Sequence, residues 1–288
     1  MAKDVFLPAL LAVACYSLGA RAPEQPAAER GAGKFALVAS VHAASPTPTP
    51  ERVEVATEPG ACPPEMARVT RPQGAFCIDR WEASLDERDA AGRTRPWPGN
   101  QALAGHEAGL VAVSVSNRKP QGYISGAEAA RACANAGKRL CEIDEWVRAC
   151  RGPHGFTYPY GETRKANVCN DRFHGEGAHP VQTLFDRFAK PGSDRQSMWG
   201  PEWMNDPRLH ELPESVEPTG ARSGCKNEYG VYDLVGNLHE WVADPEGTFV
   251  GGFFMDTLQN GEGCGYRTRA HDFNYHDYST GFRCCRDG

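Results

Sequence analysis

The sequence has no CxxC pair and no histidine and cysteine cluster at zinc-binding spacing, which removes structural zinc modules and thioredoxin-type redox motifs. It also lacks a Gly-x-Gly-x-x-Gly fingerprint, a phosphate-binding loop and a Gly-x-Ser-x-Gly elbow. Dinucleotide chemistry, phosphoryl transfer and hydrolase catalysis of those kinds therefore have no residues to rest on. Basic charge is in short supply: 31 Lys and Arg stand against 37 Asp and Glu, a net charge of −6. That balance argues against nucleic acid as a partner. No internal repeat is present, and the apolar run at residues 5–15 is too short to span a bilayer. With 40% hydrophobic and 24% charged residues the chain is globular material rather than a disordered chain, a coiled coil or a multi-span membrane protein.

What the chain does have is cysteine, 11 in 288 residues, too many for a reducing compartment without a metal to bind them. Residues 1–22 begin Met-Ala-Lys, continue apolar, and reach Ala20-Arg21-Ala22, so they resemble a secretory signal peptide. Within them, Leu11-Ala12-Val13-Ala14-Cys15 resembles a lipobox, which makes Cys15 a candidate lipidation site and a lipid anchor the one membrane attachment expected. Residues 23–60 carry six prolines and one aromatic, Phe35. A segment of that composition cannot bury enough apolar surface to offset its ordering entropy, and it reads as an extended linker. The folded domain is then 61–288, with ten cysteines, an even number that allows five bridges.

Residues 76–82 (FCIDRWE) read as one strand. Ser125 and Glu128 form a capping box that starts a helix running to about Ala136 and stopping at Gly137, and a second helix runs from about Ile143 to Cys150 and ends at Gly152. Beyond it come loops and short apolar runs at 229–234, 248–255 and 281–284, the pattern of an irregular α+β domain.

A series of blocks then appears in order: FCIDRWEAS (76–84), AGKRL (136–140), EWVRACRG (145–152), YPYG (158–161), Ala166-Asn167, YGVYDLVGNLHEW (229–241), VGGF (250–253), YRTR (266–269) and GFRC (281–284). Together they resemble the formylglycine-generating enzyme (sulfatase-modifying factor) family over about residues 62–288. The resemblance implies a C-type-lectin-like variant fold with little regular secondary structure. It also implies bridges from Cys133 to Cys284 and from Cys150 to Cys264. The remaining cysteines, grouped by elimination as Cys62 with Cys77, Cys169 with Cys225 and Cys141 with Cys285, have a connectivity that sequence alone leaves open. The family's calcium site carries over to the side chains of Asp233 and Glu240 with the carbonyls of Gly236 and Leu238, oxygen donors of the kind a hard cation takes. A second calcium site would use Asn167, the Val168 carbonyl and Asp206.

The family's oxidase chemistry uses two cysteines that hold copper just after the Gly-Gly motif. Between Gly252 and Cys264 this chain reads FFMDTLQNGEG, with no cysteine or histidine, and Phe253 stands where the family has serine. Depending on a short gap, Phe254 or Asp256, and Gln259 or Gly261, fall at the catalytic positions. Soft Cu(I) needs thiolates, so no catalytic residue is assigned and no copper is expected. The sequence thus describes an exported, disulfide-bonded, calcium-stabilised and non-catalytic module for a peptide, glycan or other cell-envelope partner, located in the periplasm, on the cell surface or outside the cell. The alternative is an iron- or copper-dependent oxidase or oxygenase of altered chemistry, with His271, His276 and Tyr275 near the old pocket and His174, His179 and His239 as further candidates. Some relatives are non-heme iron enzymes, but their histidines come from an additional helical domain without a counterpart here.

Overall fold

Strands β1 (Met66–Arg71) and β2 (Gly74–Asp79) pair antiparallel and open the domain in the computed structural model, which describes residues 61–72, 74–172 and 179–288. The signal segment, the linker, Cys15 and His174 lie outside the described residues. The strand read at 76–82 stops at Asp79 because the next two residues take partners elsewhere. The Arg80 carbonyl accepts the Tyr232 amide at 2.7 Å, and the Trp81 amide donates to Ser114 Oγ at 3.1 Å. The chain turns there into β3 (Ala83–Arg88), which lies between β4 (Thr94–Pro96) and β5 (Leu110–Ser114) in a separate antiparallel sheet.

Helix α1 (Gly126–Asn135) starts at the expected capping box: the Glu128 amide donates to Ser125 Oγ and the Ser125 amide to Glu128 Oε2. Its buried positions, Gly126, Ala129, Ala132 and Cys133, follow helical spacing and are small, which lets the helix lie close over the β3–β5 sheet. After β6 (Arg139–Leu140), α2 (Ile143–Arg151) buries Trp146, Ala149 and Cys150 and ends at Gly152 in a left-handed conformation. Glu145 on the same buried face is held by Arg139 at 2.7 Å and Arg71 at 3.2 Å.

Helix α3 (Pro180–Phe188) and the one-turn α4 (Pro201–Met204) were not foreseen. The α3 signal is present in the sequence: Pro180 at the first turn, then apolar residues at 181, 184, 185 and 188. Two 3-10 turns, Arg195–Trp199 and Pro207–Glu211, complete this region. Strands β7 (His239–Trp241), β8 (Phe249–Val250), β9 (Arg267–Thr268) and β10 (Thr280–Phe282) form a second four-stranded sheet in the order β10-β7-β8-β9, with β10 parallel to β7. The last strand, β11 (Cys284–Asp287), returns to lie between β2 and β6. These short elements, joined by loops, make the α+β arrangement expected.

Five disulfides cross this framework: Cys133–Cys284, Cys150–Cys264, Cys62–Cys77, Cys141–Cys285 and Cys169–Cys225. The structure therefore brings together the two pairs implied by the family resemblance and the three grouped by elimination. Cys150–Cys264 spans 114 residues of chain, and the chain-entropy model assigns such a loop roughly 4 to 5 kcal/mol of stabilisation. Non-reducing peptide mapping is expected to recover all five pairs. Cys150 found free, or joined to a cysteine other than Cys264, would contradict this framework.

Candidate functional site

The Gly-Gly segment leaves β8 with Gly251 and Gly252 both at positive φ. A Cβ on Gly252 would come within 2.4 Å of the Asp256 carbonyl oxygen, so only glycine lets the next loop fold back so tightly. Phe253 and Asp256 exchange backbone hydrogen bonds at 2.9 and 3.0 Å. The Asp256 carboxylate accepts the amides of Leu258 and Gln259 and the hydroxyl of Tyr266. Asp256, at one aligned catalytic position, is thus a turn-capping residue. Phe254, the other choice, is fully buried against Tyr278, while Gln259 and Gly261 are exposed.

No thiolate can form in this loop. Every cysteine among the described residues is in a disulfide, and a bridged sulfur is not a thiolate ligand. Met255, the one soft donor between Gly252 and Cys264, packs into the core cluster that contains Val181, Leu209 and Phe254.

The space between the 253–263 loop and β9 is filled by rings rather than open. His239 on β7 is buried, with ring centroids of Phe249, Phe253 and Tyr266 at 4.6, 4.7 and 5.4 Å. Burial, and to a smaller extent the nearby His271, push its pKa down to about 3, so the imidazole is neutral. Its Nδ1 has no hydrogen-bond partner. His271 stacks face to face on Tyr275 at 3.5 Å, and the Tyr275 hydroxyl donates to Asp277 at 2.7 Å. His179 caps α3 and bonds the Tyr278 hydroxyl. Of the histidines named as alternative iron or copper ligands, His179, His239 and His271 thus have separate partners, and no group of three His, Cys, Asp or Glu side chains among the described residues is arranged to hold a metal ion.

The Asp233 to Glu240 block folds around Gly236, whose φ is +81° and where a Cβ would sit 2.2 Å from the Asn170 carbonyl oxygen. It carries buried charge. Glu240 Oε2 accepts Trp146 Nε1 at 2.7 Å and Arg283 Nε at 2.6 Å, and Oε1 accepts Arg283 Nη2 at 2.6 Å. Both oxygens accept from a fully buried guanidinium, a partner that the reading of Glu240 as a calcium ligand does not include. Nearby, Glu82 accepts the Asn237 side-chain amide and the Leu238 amide, and Asp233 accepts the Gly220 amide at 2.6 Å. Three buried carboxylates thus face one arginine. Burial first, and then the charges of Asp233 and Glu240, hold the Glu82 carboxyl far above its usual range. Burial is also the main reason Asp233 is raised, with Glu240 adding to it. Sequence reasoning missed Glu82 and the role of Arg283, although both lie inside quoted blocks.

The second calcium set does not assemble. Asp206 caps the turn Pro207–Glu211 and pairs with Arg208 at 2.5 Å. Asn167 instead borders a recess of about 190 Å³ with Arg164, Asp171, Arg172 and Arg222, while Val168 packs against the core. Three guanidiniums beside one carboxylate disfavour a divalent cation in this recess.

Breaking the Glu240 and Arg283 pair from one side strands a buried charge, which costs about 3–5 kcal/mol. Chemical denaturation is expected to show that loss in Arg283→Met, and a smaller one in the double variant Glu240→Gln/Arg283→Met, which removes both charges and keeps an acceptor for Trp146. A double variant less stable than Arg283→Met alone would contradict the pairing.

The sequence profile described as "Sulfatase-modifying factor enzyme 1-like domain" matches residues 69–287. Among curated proteins, the chain is similar to the inactive C-alpha-formylglycine-generating enzyme 2 of Bos taurus, at 29% identity over 125 residues, 43% of this chain and 32% of that protein. It is also similar to the Mus musculus protein of the same name, at 26% identity over 176 residues, 57% of this chain and 48% of that protein. The chain thus spans a third to a half of the length of those relatives. Among solved structures, PvdO from Pseudomonas aeruginosa aligns with a TM-score of 0.42 and 16% identity, over 75% of this chain and 81% of that one.

Proposed function

The chain belongs to the sulfatase-modifying factor family, the match covering residues 69–287, and on that premise we propose that it is a non-catalytic binding module working outside the cytoplasm. One observation carries the reading. The loop in which the family's copper cysteines fall is closed by Asp256 and lined by Phe253, Phe254 and Tyr266, and every cysteine among the described residues is bridged. Oxidation of a substrate thiol needs a redox metal beside it, and this loop offers it no thiolate. The five disulfides fit an extracellular or exported protein. The partner in this proposal is a protein or glycan of the cell envelope, with residues 23–60 as a spacer from a surface.

The test is direct. Purified protein supplied with copper, oxygen and a sulfatase-type cysteine peptide is expected to yield no formylglycine above the no-enzyme control by mass spectrometry. Product above that control overturns the non-catalytic reading.

Calcium remains part of the proposal in a narrower form. With Glu240 spoken for by Arg283, the oxygen donors are Asp233 and the carbonyls of Gly236 and Leu238. Burial and mutual repulsion raise the pKa values of Glu82 and Asp233, and a hard cation bound there would offset that repulsion and favour their charged forms. A chelator is therefore expected to lower the melting temperature of the wild-type protein, since a ligand bound by the native state alone stabilises it. Asp233→Ala should be insensitive to chelator. An unchanged wild-type melting curve rules the cation out.

A further inference from the structure

A cleft of about 250 Å³ opens beside α4, lined by Trp199, Met204, Asn205, Asn274, Tyr275 and His276, among others. We propose that it binds one ring of a neutral saccharide, an inference that rests on the binding-module reading and names the ligand class.

The first observation is Trp199, which is 44% exposed, one of the few large apolar side chains so placed. It is nevertheless held in position. Its ring meets the ring of His179 edge to face at 4.8 Å, and His179 is fixed at both nitrogens, by the Val181 amide and by the Tyr278 hydroxyl. Burial lowers the His179 pKa to about 4, so this support carries no charge near neutral pH. A fixed, exposed indole offers a flat apolar face at small entropic cost, and the C–H face of a pyranose is its natural complement.

The second observation is Asn205. Its Nδ2 donates to the Pro201 carbonyl at 3.2 Å, while its Oδ1 is shielded and has no hydrogen-bond partner. A buried acceptor left unpaired costs about 1–3 kcal/mol, a cost that a ligand hydroxyl would remove once the Asn205 amide turns towards the cleft it lines. The third is what the lining lacks: it contains no Lys, Arg, Asp or Glu. A phosphate, sulfate or carboxylate ligand would find no permanent countercharge. An alkyl chain or an apolar side chain of a protein partner would fill the space and leave the Asn205 oxygen unpaired. A ligand that combines an apolar face with hydroxyl donors and carries no charge satisfies all three conditions. The cleft is also smaller than the roughly 300–1,000 Å³ that holds drug-sized ligands, which suits a single ring at the end or side of a glycan.

Tyr275 keeps the cleft in shape from the opposite side. Its hydroxyl is tied to Asp277 and its ring stacks on His271, so its position does not depend on the ligand.

The full chain is tested by saturation-transfer NMR and tryptophan fluorescence against a panel of neutral sugars: the methyl glycosides of glucose, galactose, mannose and N-acetylglucosamine, and their trisaccharides. At least one should bind with a Kd on the order of 1 mM or tighter. Trp199→Ala, at an exposed position with little cost to folding, should weaken it roughly tenfold, as should Asn205→Leu, because each removes one of the two recognition features. Equal binding by wild type and both variants, no binding across the panel, or tighter binding of an acidic sugar or a peptide overturns the proposal. The outcome is separate from the formylglycine assay: failure of sugar binding with no formylglycine produced leaves a non-catalytic module with a different ligand.

Discussion

The fully buried guanidinium of Arg283 sets the terms for the rest of this domain. Removing an arginine and a glutamate from water costs several kcal/mol per ion, and the structure offsets that cost with geometry. Two parallel bonds run to Glu240, and the carbonyls of Asp79 and Tyr232 take two more of the donors. Each partner comes from a different part of the chain: β7, the end of β2, and the loop before Asp233. Trp146 of α2 closes the group from the side of the helices. Arg283 stands between β10 and β11, where the chain passes from one four-stranded sheet to the other. Asp79 adds a further tie, accepting the Cys284 amide and Lys138.

The disulfides act on the same junction from outside. Cys284 and Cys285 directly follow Arg283 and, as neighbours on a strand, face opposite sides of it. One reaches α1 through Cys133 and the other reaches the segment before α2 through Cys141. The ion pair therefore sits inside a covalent clamp that fixes strand and helices around it. After Gly252, side chains take up the room: Phe253 and Tyr266 both pack against His239.

How much was legible in the sequence depended on the range of the interactions involved. The α1 and α2 helices follow from capping and stop residues within a few positions of each other, so both were readable. The split of residues 76–82 into the end of β2 and a bend was not, because Tyr232 and Ser114 decide it from far along the chain. The absence of the catalytic cysteines is a matter of composition and needs no structure. The role of Glu240 is the opposite case: a carboxylate serves a calcium ion or a guanidinium equally well, and only the fold shows that Arg283 reaches it. The α3 helix carried a readable spacing of apolar residues and was passed over among the prolines and glycines around it. The Trp199 cleft has no signal of that kind, since its walls come from three separate turns.

The adjacency of Cys284 and Cys285 also matters for biogenesis. Their partners, Cys133 and Cys141, emerge from synthesis more than 140 residues earlier, so two thiols stay open while most of the domain is being made. When the last strand arrives, a slip of one residue would exchange the two bridges and turn β11 over, sending Arg283 towards solvent. Correct assembly is thus helped wherever mispaired disulfides can be reopened, and the buried arginine is the feature that tells the right pairing from the swapped one.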